Sequence, residues 1–332
     1  MNTRERYLSV LNFKKPDGRL PMMEWAWWWD KTFERWQRDG LPAHLSDGDL
    51  YDYFGLDFLA CVNASTISDK CPKPAYHGAP RMLDENDYEA IRPFILNDAL
   101  IEGAKKQAFD FKERHEQGKI ALRLWLDGFF WFPRSLFGIE NHFYAFYDYP
   151  ELMRRINDDL ADFELKVMEE LFAIITPDMV GFAEDLSYNH GPMLSYGMFK
   201  EFLAPYYNRV IPYIKDRGIK LMVDSDGDVT RLIPWFLELG IEGIYPLERQ
   251  AGVDIAKIRK TYPDWLMMGA YDKLVMSKGE RAMRSEFERL LPVMKTGGYI
   301  PSVDHQTPPE VSLEDYRIYL KLFEEYCEKA VN

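Results

Sequence analysis

The chain predicts an α/β fold of the (β/α)8 kind, a TIM barrel built as one domain over residues 1–332. Three observations carry that expectation. Eight short apolar runs can be counted, helical patterns fall between them, and several runs end in an acid or a histidine. Strands alternating with helices imply parallel pairing through right-handed crossovers, and a count of eight favours closure over an open sheet. Most of the runs are almost continuously apolar, as expected of strands covered on both faces.

In chain order, residues 3–13 read as an amphipathic helix, with Thr3 as its cap and Tyr7, Val10 and Leu11 on one face. Strands are expected at residues 20–25, 57–62, 120–126, 179–183, 220–223, 243–246, 266–270 and 298–303. The second is the least regular, because FGLDFLACVN also suits irregular chain. Helical periodicity is clearest at residues 151–172, 196–215, 231–239, 278–294 and 313–328. No low-complexity linker and no internal repeat divides the sequence.

Composition narrows the function classes. A hydrophobic fraction of 47% is enough to bury a large core, and a net charge of −13 argues against nonspecific nucleic-acid binding. Cys61, Cys71 and Cys327 are too few and too scattered for a disulfide framework and fit a reducing cytosol. The first residues carry charges where a signal peptide needs its apolar region, and no run is long enough to span a bilayer. A soluble, cytoplasmic protein without membrane contact is expected.

The chemistry is expected at the carboxyl ends of the strands, where barrel enzymes place it. In LMVDSDGDVT, Asp224 and Asp226 end an apolar run and stand two residues apart, a spacing that suits two ligands of one cation or a coupled carboxylate pair. The alternative is that Asp226 and Asp228 make the turn and cap the next helix. His305 follows the last run in GGYIPSVDHQTPP and completes a candidate metal set of Asp224, Asp226 and His305. Glu184 and Asp185, in FAEDLSYNH, are candidate acid/base groups, with His190 as a second imidazole. Two aromatic clusters follow predicted strands, MEWAWWWDKTFERW and GFFWFP. Glu24, Trp25, Trp28, Asp127, Phe130 and Arg134 are therefore expected to line a substrate pocket. Few basic groups accompany them near the rim, namely Arg134, Arg249 and Lys273.

Four stretches resemble the uroporphyrinogen decarboxylase superfamily: TRERYLSVLNFKKPD, AEDLSYNHGPMLSYGMFKEFLAPYYNRVIPYIKDRG, VDSDGDVT and GGYIPSVDHQTPPEVSLEDY. The resemblance implies a (β/α)8 barrel and one of two chemistries, decarboxylation or methyl transfer with a corrinoid protein. In the decarboxylases an Arg-Gln-Ala-Gly-Arg motif after the first strand binds substrate carboxylates. Here that place reads Glu24-Trp25-Ala26-Trp27-Trp28, with no arginine before Arg35. The family's catalytic Asp has its nearest counterpart at Asp57, and His305 falls where the decarboxylases have Gly-His-Gly. The methyltransferases bind zinc through His-x-Cys and a later Cys. The corresponding positions read Asp224-Ser225-Asp226 and Asp304-His305, a harder donor set suited to zinc, manganese, iron or no metal.

The leading expectation is thus a corrinoid-linked methyltransferase acting on a small substrate, with a divalent metal and a methyl-carrying corrinoid on a partner protein. Two alternatives stay open: decarboxylation of a substrate less anionic than uroporphyrinogen, and a non-catalytic partner of a corrinoid protein. A homodimeric assembly is also left open.

Overall fold

The computed structural model describes residues 1–45 and 47–332. Seven strands form one parallel, curled sheet: β1 (Phe58–Asn63), β2 (Ile120–Asp127), β3 (Met179–Ala183), β6 (Lys220–Asp224), β7 (Gly243–Tyr245), β8 (Leu266–Tyr271) and β9 (Tyr299–Val303), neighbours in that order. A separate two-stranded hairpin joins β4 (Ser187–Tyr188) to β5 (Gly191–Pro192) just beyond β3. The sheet strands are buried nearly throughout, which explains their continuous apolar sequence.

The expected first strand is where the structure departs from the prediction. Residues 20–25 are not a ladder strand, and closure by eight strands is not seen among the described residues. The segment nevertheless touches both edges of the sheet. Met22 accepts from the Asp57 amide at 2.8 Å beside β1, while Trp25 donates its amide to Ser302 Oγ at 3.2 Å and its indole N–H to the Val303 carbonyl at 2.9 Å in β9. On the β9 side, bonds involving side chains stand in place of a backbone ladder. The second strand, by contrast, is regular and pairs with β2 over its whole length.

Helices cover the outer face, the longest being Pro150–Phe172, Asp98–Glu116 and Leu313–Val331. The pattern expected over residues 196–215 is two helices, Tyr196–Phe202 and Ala204–Lys215, the second starting with a proline in its first turn. Proline lacks the N–H that would continue the first helix, so the break falls just before it. The helix Thr3–Leu11 lies across the amino-terminal end of the sheet, burying Tyr7, Val10 and Leu11. Its cap is Asn2 rather than Thr3, in a capping box with Glu5. Tyr7 donates to Met179 Sδ at 3.4 Å and seals this end of the interior.

Asp57 belongs to the same amino-terminal end. Its carboxylate takes Arg6 at 3.0 Å, Arg19 at 2.5 Å, the Thr3 hydroxyl at 2.9 Å and the Met22 amide at 3.0 Å. It precedes β1 instead of following it, so the expected catalytic counterpart is a structural ion-pair centre.

Candidate active site

The carboxyl ends of the strands converge, as expected, on one mouth. Asp127 ends β2, Ala183 is followed by Glu184 and Asp185, Asp224 ends β6, and Asp304 and His305 follow β9. The ladder continues just past the strand ends. Glu184 N–H donates to the Asp224 carbonyl, Ser225 N–H to Tyr245 and Asp304 N–H to Tyr271, which fixes the mouth residues to the rigid sheet.

Asp224, Asp226 and Asp185 form a group of half-buried carboxyls here. Asp224 Oδ1 is buried and has no hydrogen-bond partner. Its proton affinity is raised well above that of an ordinary carboxylate by burial, then by the neighbouring Asp185 and Asp226. Burial, Asp185 and Glu248 push Asp226 up to about 7. Asp185 is raised by burial, and its φ of 45° turns its carboxylate back to accept the Asp226 amide at 3.3 Å. His305 Nε2 stands 3.7 Å from Asp226 Oδ2, and burial followed by the Lys273 charge lowers its pKa, favouring the neutral imidazole. Asp304 is fully buried and committed to the Lys273 and Arg249 amides at 3.2 and 3.1 Å.

The turn after Asp226 is not made by these acids. The Gly227 amide donates to Glu248 Oε2 at 2.9 Å, and a side chain at Gly227 would meet the Tyr188 backbone at 2.7 Å. Asp228 alone fulfils the turn reading, accepting the Thr230 amide at 3.0 Å. Asp224 and Asp226 are thus free of capping duty.

Several expected site residues lie elsewhere. Glu184 is fully buried behind the mouth, accepting the Phe130 and Trp131 amides at 2.8 and 3.1 Å and the Tyr207 hydroxyl. It neutralises the start of the helix Trp131–Phe137, and burial pushes its pKa up to about 7. Glu24 is buried at the seam, bonded to Ser302, the Val303 amide and the Tyr316 hydroxyl, with its pKa pushed up to about 7 by burial. Trp28 sits in an aromatic core with Phe33, Trp36, Phe54 and Tyr316, and Phe130 packs against His142 and Phe146 outside the sheet. His190 is exposed on the hairpin turn, its ring against Tyr188. None of these five lines the mouth. Asp127 and Arg134 do reach the rim. Asp127 accepts the Thr66 hydroxyl and is pushed up to about 6 by burial, and Arg134 donates to the Asp185 carbonyl at 3.4 Å.

Trp25 stands beside His305, and it frames residues that the sequence reading passed over. Its ring lies 5.5 Å from Tyr245 and 5.9 Å from His305, and Trp125 lies 6.2 Å from Tyr245. Beneath this collar is Arg123, whose guanidinium stacks over Trp125 at 4.8 Å. The signal was present in IALRLWL, a strand in which the only charge falls among buried positions.

The zinc set implied by the methyltransferase resemblance can be tested against these residues. Cys71 and Cys327 are buried, and Cys61 lies on β1 against Arg123. Among the described residues no three His, Cys, Asp or Glu side chains come together as a metal-ligand group. Asp224, Asp226 and His305 thus share one mouth without forming a ready coordination sphere.

The uroporphyrinogen decarboxylase family model matches residues 134–326, more than half of the chain. No curated protein matches it. Among solved structures, a B12-independent methionine synthase from Shewanella sp. W3-18-1 is similar at 14% identity over 67% of this chain, with a TM-score of 0.44. This chain spans 65% of the length of that protein. A candidate vitamin-B12-independent methionine synthase from Listeria monocytogenes is similar at 12% identity, covering 93% of this chain and 97% of its own, with a TM-score of 0.49. Among the described residues no helix is long and apolar enough to cross a membrane.

Proposed function

The chain belongs to the uroporphyrinogen decarboxylase family, and from that premise we propose that it is a carboxy-lyase acting on a small substrate. One observation carries this reading: the mouth gathers several carboxyl groups whose proton affinities are raised by burial and by one another, and among the described residues Asp224 has an unpartnered buried oxygen. A carboxyl kept neutral near physiological pH is a proton donor in waiting. The C–C bond to the leaving carboxylate breaks, its electron pair stays on the substrate carbon, and carbon dioxide departs. Asp224 then gives its proton to that carbon and is reprotonated from solvent through the exposed rim at Asp226 and His305. The remaining ionised acids of the rim disfavour a second negative charge beside them, which favours loss of the carboxylate.

Methyl transfer in the related branch rests on a zinc–thiolate centre, and these positions supply no sulfur and no compact ligand group. The carboxy-lyase reading needs only groups that the chain provides. It is tested by incubating the purified protein in heavy water with small aromatic dicarboxylates labelled in the carboxyl carbon. Labelled carbon dioxide and one deuterium in the product are expected, with uroporphyrinogen turned over negligibly because so few cations serve its many carboxylates. Methyl transfer to a thiol or a corrinoid, without carbon dioxide release, would overturn the reading.

A further inference from the structure

A buried arginine is one of the least comfortable residues in a protein interior, and Arg123 is about as buried as arginine becomes, at 6% exposure. Taking such a charge out of water costs several kcal/mol unless partners compensate it. Its compensation is incomplete. Nη2 donates to the Trp25 carbonyl at 2.9 Å and the Cys61 thiol stands beside the guanidinium, whereas among the described residues Nε and Nη1 have no oxygen or nitrogen acceptor. Among the described residues no carboxylate lies within ion-pair distance of it; Asp224 acts on it from farther off, and its nearer company is the rings of Trp125 and Tyr245 and the thiol of Cys61.

Two further orphans share this space. Among the described residues the Tyr245 hydroxyl is buried without a hydrogen-bond partner, as is Asp224 Oδ1, and both feel the Arg123 charge. Tyr245 reaches the interior because Gly181 on β3 leaves room for it. A side-chain carbon at Gly181 would lie 2.2 Å from the Tyr245 oxygen. Buried polar groups in native proteins are almost always satisfied, so three orphaned groups in one place mark a missing partner. That partner must accept from a guanidinium and a phenol, so it is an anionic oxygen. The rings of Trp25, Trp125 and Tyr245 stand around this space, so a body that packs among them is flat and apolar.

We propose that Arg123 and Tyr245 form an anchoring site on the barrel floor for a carboxylate that the substrate keeps through the reaction. The substrate class is then a flat aromatic dicarboxylate and the product its monocarboxylate. One acid group is held by Arg123, and the other is presented to Asp224 in the mouth. This deepens the carboxy-lyase reading and rests on it for the identity of the second, leaving group. The anchor differs in origin from the arginine motif of the decarboxylases, since it comes from the middle of β2 and not from the loop after the first strand.

The probes are benzoate, which carries the retained group alone, and benzamide, which has the same ring without the charge. Benzoate is expected to bind the wild-type protein and raise its melting temperature, whereas benzamide is not. Arg123→Met should weaken benzoate binding roughly 10- to 100-fold, the range for losing hydrogen bonds to a charged group. Equal binding of benzoate and benzamide by the wild type would overturn the proposal, and so would unchanged benzoate affinity in Arg123→Met. Should Arg123→Met fail to fold, Tyr245→Phe carries the test by removing one hydroxyl only, with a loss of benzoate affinity expected and no change contradicting it. Arg123-dependent benzoate binding without carbon dioxide release from any dicarboxylate would leave the floor site standing and remove the lyase reading. Carbon dioxide release with a KM unaffected by Arg123→Met would do the reverse.

Discussion

Asp224 and Asp228 stand four residues apart on the same loop and have opposite fates. Asp228 spends its carboxylate on the Thr230 amide, whereas Asp224 keeps an oxygen that nothing in the fold satisfies. A sequence shows both as acids near a glycine, and only the path of the chain past Glu248 separates them. The places of Asp127, Asp185, Asp224, Asp226 and His305 were legible because each ends or follows an apolar strand, whereas Arg134 comes from the helix Trp131–Phe137 and Trp25 from a segment outside the ladder. Glu184 and Glu24 satisfied the same rule and were misplaced by it, since a residue one step past a strand can turn into the wall. Arg123, Tyr245 and Glu248 were missed because a polar residue inside or beyond an apolar run reads as an interruption. The buried Glu184 has a measurable consequence. Its folded pKa of about 7 lies above its unfolded value near 4.5, so the native state holds a proton that the unfolded state releases between those values. Stability therefore falls as pH rises through that window, by something on the order of 3 kcal/mol from this group. Glu184→Gln keeps acceptors for the Phe130 and Trp131 amides and carries no such linkage. Urea midpoints at pH 5 and pH 8 should differ less in this variant than in the wild type, and an unchanged difference would show the carboxyl to be ionised throughout.

At the scale of elements, periodicity identified the strands well, because residues covered on both faces leave an unbroken apolar signature. It failed at residues 20–25, which have that signature and not the backbone ladder. There the Glu24 carboxylate accepts from the Ser302 hydroxyl and the Val303 amide, the Trp25 indole donates to the Val303 carbonyl and the Trp25 amide to the Ser302 hydroxyl, in place of an amide-to-carbonyl ladder. Side-chain substitution for a ladder leaves no mark on hydrophobic period. The helix patterns were read correctly in kind, and the one division missed, before Ala204, follows from a proline that the pattern spanned. Strand β3 has its own functional device. Gly181 interrupts a fully buried strand and opens the space that Tyr245 occupies from β7. Gly181→Ala should expel the Tyr245 ring, costing about 1–3 kcal/mol as an overpacking change and abolishing the stabilisation given by benzoate. Retention of that stabilisation would show that Tyr245 is not part of the anchor.

The whole molecule carries a net charge of −13, and much of its chemistry follows from where it concentrates acids. Asp185, Asp224, Asp226, Glu248 and Asp304 surround one opening, with Lys273 and His305 as local relief. Such a mouth repels polyanions and raises the proton affinity of its own carboxyls above that of ordinary aspartates. Beneath it lies the reverse arrangement, a buried guanidinium with no carboxylate partner among the described residues. The chain belongs to the uroporphyrinogen decarboxylase family, and this separation of charge supports the chemistry proposed for it. The central claim is the neutral Asp224 carboxyl, and infrared difference spectroscopy at pH 7 tests it directly. Subtracting the Asp224→Asn spectrum from that of the wild type should reveal the carbonyl stretch of a protonated carboxylic acid, fading as pH is raised further. A difference spectrum showing only the loss of a carboxylate band at pH 7 would mean that Asp224 is already ionised, and it would contradict the account.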